Sequence, residues 1–540
     1  MPNISALSLV RNANSESKQQ PTESELRERL RTQARKISAF SQDPRPPSGE
    51  ELTFKAFEQA LIPMVFALAR TALALFLTCA ERREQKRIPK RLERGERVFR
   101  PAPAQARNLE TWFGVVRYFR TYMREVCQGP HRGFYPLDIT LGLTADRVSM
   151  TLLAVAVRLA TKLSFGESRS VLQWFLPTVP STEVVEQAVL GFGRHTADWF
   201  ESGAPAFEDD GDVLVIMIDS KGIPTATEEE LKKRRRPRRK TGRAMSPRHR
   251  GRQHRKRRGR RRRRAKGDKS KNAKMGTVLV MYTLKRQGRY LLGPINRWLY
   301  ASFACKKHAF AIARREANKR GFGPESGKVV QLVTDGDPDL GCYGRQYFSE
   351  AIHTVDIMHV FEKLWSAGEC IHREGSEELQ KWFDRQRDLL YEGKTRTVLR
   401  ELQRHLDATA KKGPGNKGKR QRLQGAIRYI ERRIEQMRYD ELIAQDLEVS
   451  SGPVEGAVKY IVGRRCDHGG MRGIKERSEA ILQLRCIELN GNWDDFIDYV
   501  HDRTQRSAQK TGERIRIQQK QPVPLPDFLD NPAEITEVAA

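Results

Sequence analysis

VLVIMIDSKG, residues 213–222, decides how this chain folds. Its first six residues are apolar without a break, which reads as a strand buried on both faces, because a half-exposed strand alternates. The run closes on Asp219, a carboxylate that is costly to bury without compensation. Either the strand simply ends there, with Asp219 capping the turn into Lys221 and Gly222, or a buried sheet presents Asp219 to a metal ion.

The segments that follow build the rest of a sheet. KMGTVLVMYTLKRQGRYLLGPINRWLYASF, residues 274–303, predicts two strands with a turn at Gln287 and Gly288. A helix is expected over residues 306–322, closed by Gly321 at its C-terminus. KVVQLVTDGDPDL, residues 328–340, then gives a fourth strand ending in Asp335, while Pro338 puts Asp337 and Asp339 in a turn. Three strands, a helix, a strand and a helix suit an α/β fold whose mixed sheet is flanked by helices.

Two strands of one sheet thus end in aspartate. If they are neighbours, both carboxylates emerge at one edge and repel unless Mg²⁺ or Mn²⁺ lies between them. A pair of such ions stabilises the attacking and leaving oxygens of an in-line phosphoryl displacement. A third acid is offered by SSGPVEGAVKYIVGRRCDHGGMRG, residues 450–473, where Glu455 follows Gly452 and Pro453 in the first turn of a helix. Taken alone, Glu455 is more readily a residue that complements the helix dipole. HTVDIMHVFEKLW, residues 353–365, sets Asp356 and His359 three apart at a helix start, on one side of it. They are placed to position the site or bind its metal, or else are a capping aspartate and a core histidine.

The charge points to a polyanion. Residues 232–274 hold 25 Lys and Arg against the single acid Asp268, on a chain whose formal net charge is +32. Such a run neutralises phosphates and carries little sequence information. Seven scattered cysteines with no CxxC pair argue against a disulfide framework and for a reducing compartment. The N-terminus lacks the apolar core of a signal peptide. ALIPMVFALARTALALFLTCA, residues 60–80, is nearly long enough to span a bilayer, but Arg70 sits in its middle, so it reads as a buried or dimer-forming helix. The expected location is cytoplasmic and nucleoid-associated.

The expected organisation is a disordered segment over 1–50 and a helical segment over 51–105. A strand pair and a helix-turn-helix-like DNA-binding region follow over 106–205. The first part of the sheet domain spans 206–369, interrupted by the basic disordered insertion 232–274. An all-helical insertion occupies 370–448, the last part of the sheet domain 449–500, and a tail 501–540.

Together these motifs resemble the DDE transposases of bacterial insertion sequences, specifically the ISKra-type group, with wider kinship to Mutator-like transposases. The matching pieces are VIMIDSKGIP, VTDGDPDL, VDIMHVFEKLW, the segment 450–473, SEAILQLRCIELNGNWDDF behind it, and HRGFYPLDITLGL upstream. The chain departs from the family pattern at Ser220 and Gly473, and has Cys127 and His131 where many relatives carry paired cysteines. The resemblance implies an RNase H-like core split by a helical insertion, with Asp219, Asp335 and Glu455 as a metal-binding catalytic triad and Asp356 and His359 as auxiliaries. It implies Mg²⁺ or Mn²⁺ as cofactor, double-stranded DNA (transposon ends and target) as partner, and a homodimer or higher homo-oligomer on DNA. Two other readings fit the same residues: an inactive transposase-derived nucleic-acid-binding protein, and an RNase H-fold nuclease without strand transfer.

Overall fold

A computed structural model describes residues 21–44, 52–94, 96–126, 133–207, 209–230, 273–467, 471–514, 516–523 and 525. The expectations for residues 1–20, for nearly all of the basic run, for Cys127 and His131, and for the end of the tail lie outside these residues. The chain divides into two units, one formed by residues 1–204 and 491–523, the other by 205–490 and 524–540.

In the first unit, helices Glu23–Gln42 and Phe54–Arg87 form a hairpin. Thr22 and Glu25 make a reciprocal capping box at the start of the first helix. Residues 23–42 are therefore ordered, and the expectation of disorder across 1–50 fails there. Low hydrophobicity hid a helix whose inner face is anchored by Leu26 and by stacking of Phe40 on Phe57.

The long second helix contains the apolar stretch. Arg70 donates to the Phe113 carbonyl at 2.9 Å, and buried Glu81 accepts from the Thr121 amide at 2.8 Å. These polar residues are tolerated in the helix because the turn at Phe113 and the strand bearing Thr121 receive them. Phe54–Arg87 is, by length and composition, long and apolar enough to cross a membrane, and only 11% of its most apolar window is buried.

The helical segment expected over 51–105 ends at Arg87. Strands β1 (Leu92–Arg94), β2 (Arg97–Thr111), β3 (Gly114–Glu125) and β4 (Gly133–Phe134) follow in an antiparallel sheet of that order. The first half of β2 is mostly exposed and carries two prolines, so it lacks the alternation that marks a strand in sequence. Helices Met150–Ala160, Phe165–Phe175 and Thr182–Gly193 come next, capped by Ser149, Ser164 and Ser181.

Helix Trp493–Thr511 also belongs to this unit, with Phe496 packed edge-on against Trp199. Beyond it, the amides of Ile517 and Gln518 donate to buried Asp146 at 2.7 and 3.1 Å. This corrects the boundary at 500 and the reading of 501–540 as a tail: residues up to 523 return to the first unit.

The second unit is built on a five-stranded mixed sheet. Its strands are β5 (Val213–Pro224), β6 (Ala273–Gln287), β7 (Tyr290–Ser302), β8 (Val329–Thr334) and β9 (Ile352–Val355), in the order β7-β6-β5-β8-β9. The first three are antiparallel neighbours; β5, β8 and β9 run parallel. Residues 213–218 are all at most 2% exposed, as an unbroken apolar run in a central strand requires.

Helix Lys306–Lys319 follows β7, helix Pro338–Tyr347 follows β8, and helix Ile357–Ile371 follows β9. The expected all-helical insertion is present as Glu377–Tyr391, Thr395–Ala408, Asn416–Glu431 and Tyr439–Ala444. Gln331, fully buried on β8, accepts from the Glu448 amide and donates to its carbonyl, at 3.0 and 2.6 Å, and so receives the chain as it leaves the insertion.

Candidate active site

The sheet register carries three aspartates to one edge. Ile218 of β5 pairs with Thr334 of β8, and Thr334 pairs with Val355 of β9. Asp219, Asp335 and Asp356 are the next residues along these three parallel strands. Neighbouring strands are about 4.8 Å apart, so the three carboxylates leave the sheet in one row. The sequence reading found the first two. It placed Asp356 at a helix start and missed β9, a four-residue strand containing a histidine, too short to show a period. Nor does β5 end at Asp219: only its pairing with β8 ends there, while pairing with β6 continues to Pro224.

Each aspartate is held differently. Asp219 Oδ1 accepts from the Ser220 amide at 2.6 Å. Asp335 Oδ1 accepts from the Asp337 amide at 2.8 Å, an arrangement that turns the chain through Gly336. Asp337 caps helix Pro338–Tyr347 and pairs with Lys306 at 2.8 Å, which removes it and Asp339 from competition with Asp335. Asp356 is fully buried; its Oδ1 caps helix Ile357–Ile371 through the Met358 amide, and its Oδ2 accepts the Ser451 hydroxyl. The capping role weighed for Asp356 is thus real, and a second oxygen remains to tie it to the segment bearing Glu455.

Burial pushes the Asp335 carboxyl above the usual carboxylate range. The Asp337 amide works against this, the charges of Asp219 and Asp337 add to it, and His359 opposes it. Asp335 is therefore within electrostatic reach of both Asp219 and His359. Among the described residues, no lysine or arginine forms an ion pair with Asp219, Asp335 or Glu455. Repelling carboxylates beside a partly buried acid, without a cationic side chain, are an environment that a cation would stabilise.

Glu455 lies on helix Gly452–Val458, which packs against β5 and β6 and runs on through a π-helical turn at Lys459–Gly463. Such wide turns recur at functional sites. One ligand atom each of Asp356, His359 and Glu455 lie within 4.8 Å of one another, the one such group among the described residues. His359 is half-buried, with Nε2 3.8 Å from Asp356 and Nδ1 3.3 Å from Glu362. It is not a core histidine. Asp219 and Asp335 lie outside this close group, so the residues fall into two adjoining sets, Asp219 with Asp335 and Glu455 with Asp356 and His359. Oxygen donors with one imidazole fit a hard divalent ion such as Mg²⁺ or Mn²⁺.

The helical insertion supplies support that sequence reasoning missed. Tyr429 donates its hydroxyl to the Asp335 carbonyl at 2.8 Å, and Arg433 Nε donates to the Gly336 carbonyl at 2.8 Å while stacking on the Tyr429 ring. Gly336 has a φ of 77°, and a Cβ there would meet Arg433 Nε at 2.6 Å, so any other residue would be strained and would displace the side chains that hold this turn. Tyr439 donates to the Val355 carbonyl at 2.9 Å, immediately before Asp356. These tyrosines lie 94 and 84 residues from the carbonyls they hold, and no local pattern reveals them.

Compared with protein-family models the chain matches none, and a comparison with curated proteins likewise finds no match.

Proposed function

We propose that this protein is a DDE transposase of an insertion sequence, with an RNase H-like catalytic core that cuts DNA at transposon ends and joins them to target DNA. One observation carries the reading: three neighbouring parallel strands are each followed, at a single register row, by an aspartate, and a later helix brings Glu455 beside the third. The strand order β7-β6-β5-β8-β9, with three antiparallel strands followed by two parallel ones, and the helical insertion after β9 support the fold assignment.

Asp219, Asp335 and Glu455 would hold Mg²⁺ or Mn²⁺. Such an ion, when bound, lowers the pKa of water and polarises the scissile phosphodiester. Asp356 fixes the start of one helix and, through Ser451, the approach of another, so it positions Glu455 and His359. His359 offers an imidazole beside Glu455 that can hold or pass a proton. The nucleophiles are water and then a DNA 3′-hydroxyl, each presented in line to the phosphorus, so no protein side chain has to form a covalent bond with DNA. The working form is a homodimer or higher homo-oligomer on double-stranded DNA, and the basic run 232–274 contributes sequence-independent affinity.

The reading is tested by incubating the full chain with Mg²⁺, a labelled duplex carrying the element's terminal sequence, and a supercoiled target plasmid. Labelled end joined covalently to plasmid is the expected product. Cutting without joined product would favour the nuclease reading, and neither would leave a DNA-binding relic.

A further inference from the structure

The first unit contains a cleft unrelated to the carboxylate edge. It has a volume of about 490 Å³ and is lined by Asn108 and by five arginines, Arg107, Arg117, Arg120, Arg147 and Arg514, with no acidic residue in its lining. Behind it lies fully buried Asp138, whose Oδ2 accepts from Arg107 at 3.1 Å, from Arg514 at 2.8 Å and from Arg120. Three guanidinium groups therefore share one carboxylate. The nearby buried acid, Asp146, uses its oxygens on the amides of Ile517 and Gln518, and the closest guanidinium to it, Arg516, is 3.9 Å away.

Uncompensated positive charge in a buried cluster is unfavourable, and its mark is visible. Burial first, and the neighbouring Arg514 and Arg107 charges with it, bring Arg120 down to about 10. Arg120 is 6% exposed, and its buried Nε has no hydrogen-bond partner. Its guanidinium also lies 3.7 Å from the centre of the Tyr135 ring, with Arg514 at 4.9 Å from that ring. Arg117 and Arg147 are exposed at the rim, and neither pairs with a carboxylate among the described residues. Arg107 is spent on internal carbonyls, those of Thr144 and Asp146, and serves as structure. Arg117, Arg120, Arg147 and Arg514 line a concavity wide enough for several phosphate oxygens, and guanidinium forks match phosphate geometry.

We propose that this cleft binds phosphate groups of a DNA backbone, with Arg117 and Arg147 gripping from the rim and Arg120 donating from the wall. The proposal rests on the DNA-binding part of the reading above and not on its chemistry.

Binding of a labelled duplex to the full chain is measured by fluorescence anisotropy in EDTA over a range of salt, so that cutting plays no part. The double variant Arg117→Gln/Arg147→Gln is compared with Arg29→Gln/Arg35→Gln, which removes the same charge from the exposed face of helix Glu23–Gln42. The cleft variant is expected to bind about tenfold or more weakly, with a salt slope about 2 smaller in magnitude, the comparator less than about twofold. Melting temperatures should match wild type, since both rim residues are exposed. Equal losses in the two variants would overturn the cleft as a site. A wild-type chain that fails to bind duplex at all would overturn the DNA-binding reading beneath it.

Discussion

Asp335→Asn is expected to abolish metal-dependent cutting of end-containing DNA, by a factor of about a thousand or more, while the protein stays folded. A thousandfold corresponds to about 4 kcal/mol of barrier, within reach of one charged group acting on the reacting phosphate. The substitution keeps an oxygen to accept from the Asp337 amide and removes only the charge. Stability should hold or rise in the absence of divalent ions. Asp335 titrates above its ordinary value because of burial and the Asp219 charge, so the folded state favours its protonated form. That contribution is full below the ordinary carboxylate range and is lost as pH rises through the elevated folded value. At neutral pH the wild type carries the penalty and the asparagine does not. Addition of Mg²⁺ should raise the melting temperature of the wild type and leave the variant nearly unmoved. Equal cutting by both proteins would remove Asp335 from the site.

Replacing the Lys and Arg of residues 232–264 with Gln and Ser should weaken DNA binding by about a thousandfold at moderate salt. The whole run carries a net +24 over 43 residues. Each phosphate neutralised contributes about 0.9 to the slope of log affinity against log salt. If about a third of those charges meet phosphates, the slope falls in magnitude by roughly 6–8. Preference for end sequence over random duplex should change little, because phosphate contacts position without specifying. Filter binding at several salt concentrations measures both, and an unchanged slope would make the run a solvated loop.

What the sequence reveals and what it hides follow physical lines. β5 was legible because a central strand buried on both faces needs an unbroken apolar run, Asp219 because it closes that run, and Asp335 because it directly follows the largely apolar β8. Glu455 was legible as a first-turn residue, since Pro453 marks the helix start. β9 was hidden by its length. Residues 23–42 read as disorder because composition was weighed over Thr22 and Glu25, the capping pair that announces the helix. β1 and the first half of β2 were masked by charge and prolines, whereas the second half of β2 and β3 fall in the region where a strand pair is expected. Tyr429, Arg433 and Ser451 could not be found in one dimension, because their partners just past β8 and β9 are brought to them only by the completed fold. The same holds for Ile517 and Gln518, whose amides reach Asp146 only in the completed fold.

Asp219, Asp335 and Glu455 are proposed to act together on one or two divalent ions, although Glu455 groups with Asp356 and His359. Crystals of the full chain grown with Mn²⁺ test this proposal through anomalous scattering. A peak coordinated by Asp219 and Asp335 is expected, with Glu455 completing that site or holding a second ion beside it. A peak held by Asp356, His359 and Glu455 alone, with Asp219 and Asp335 bare at saturating Mn²⁺, would contradict it.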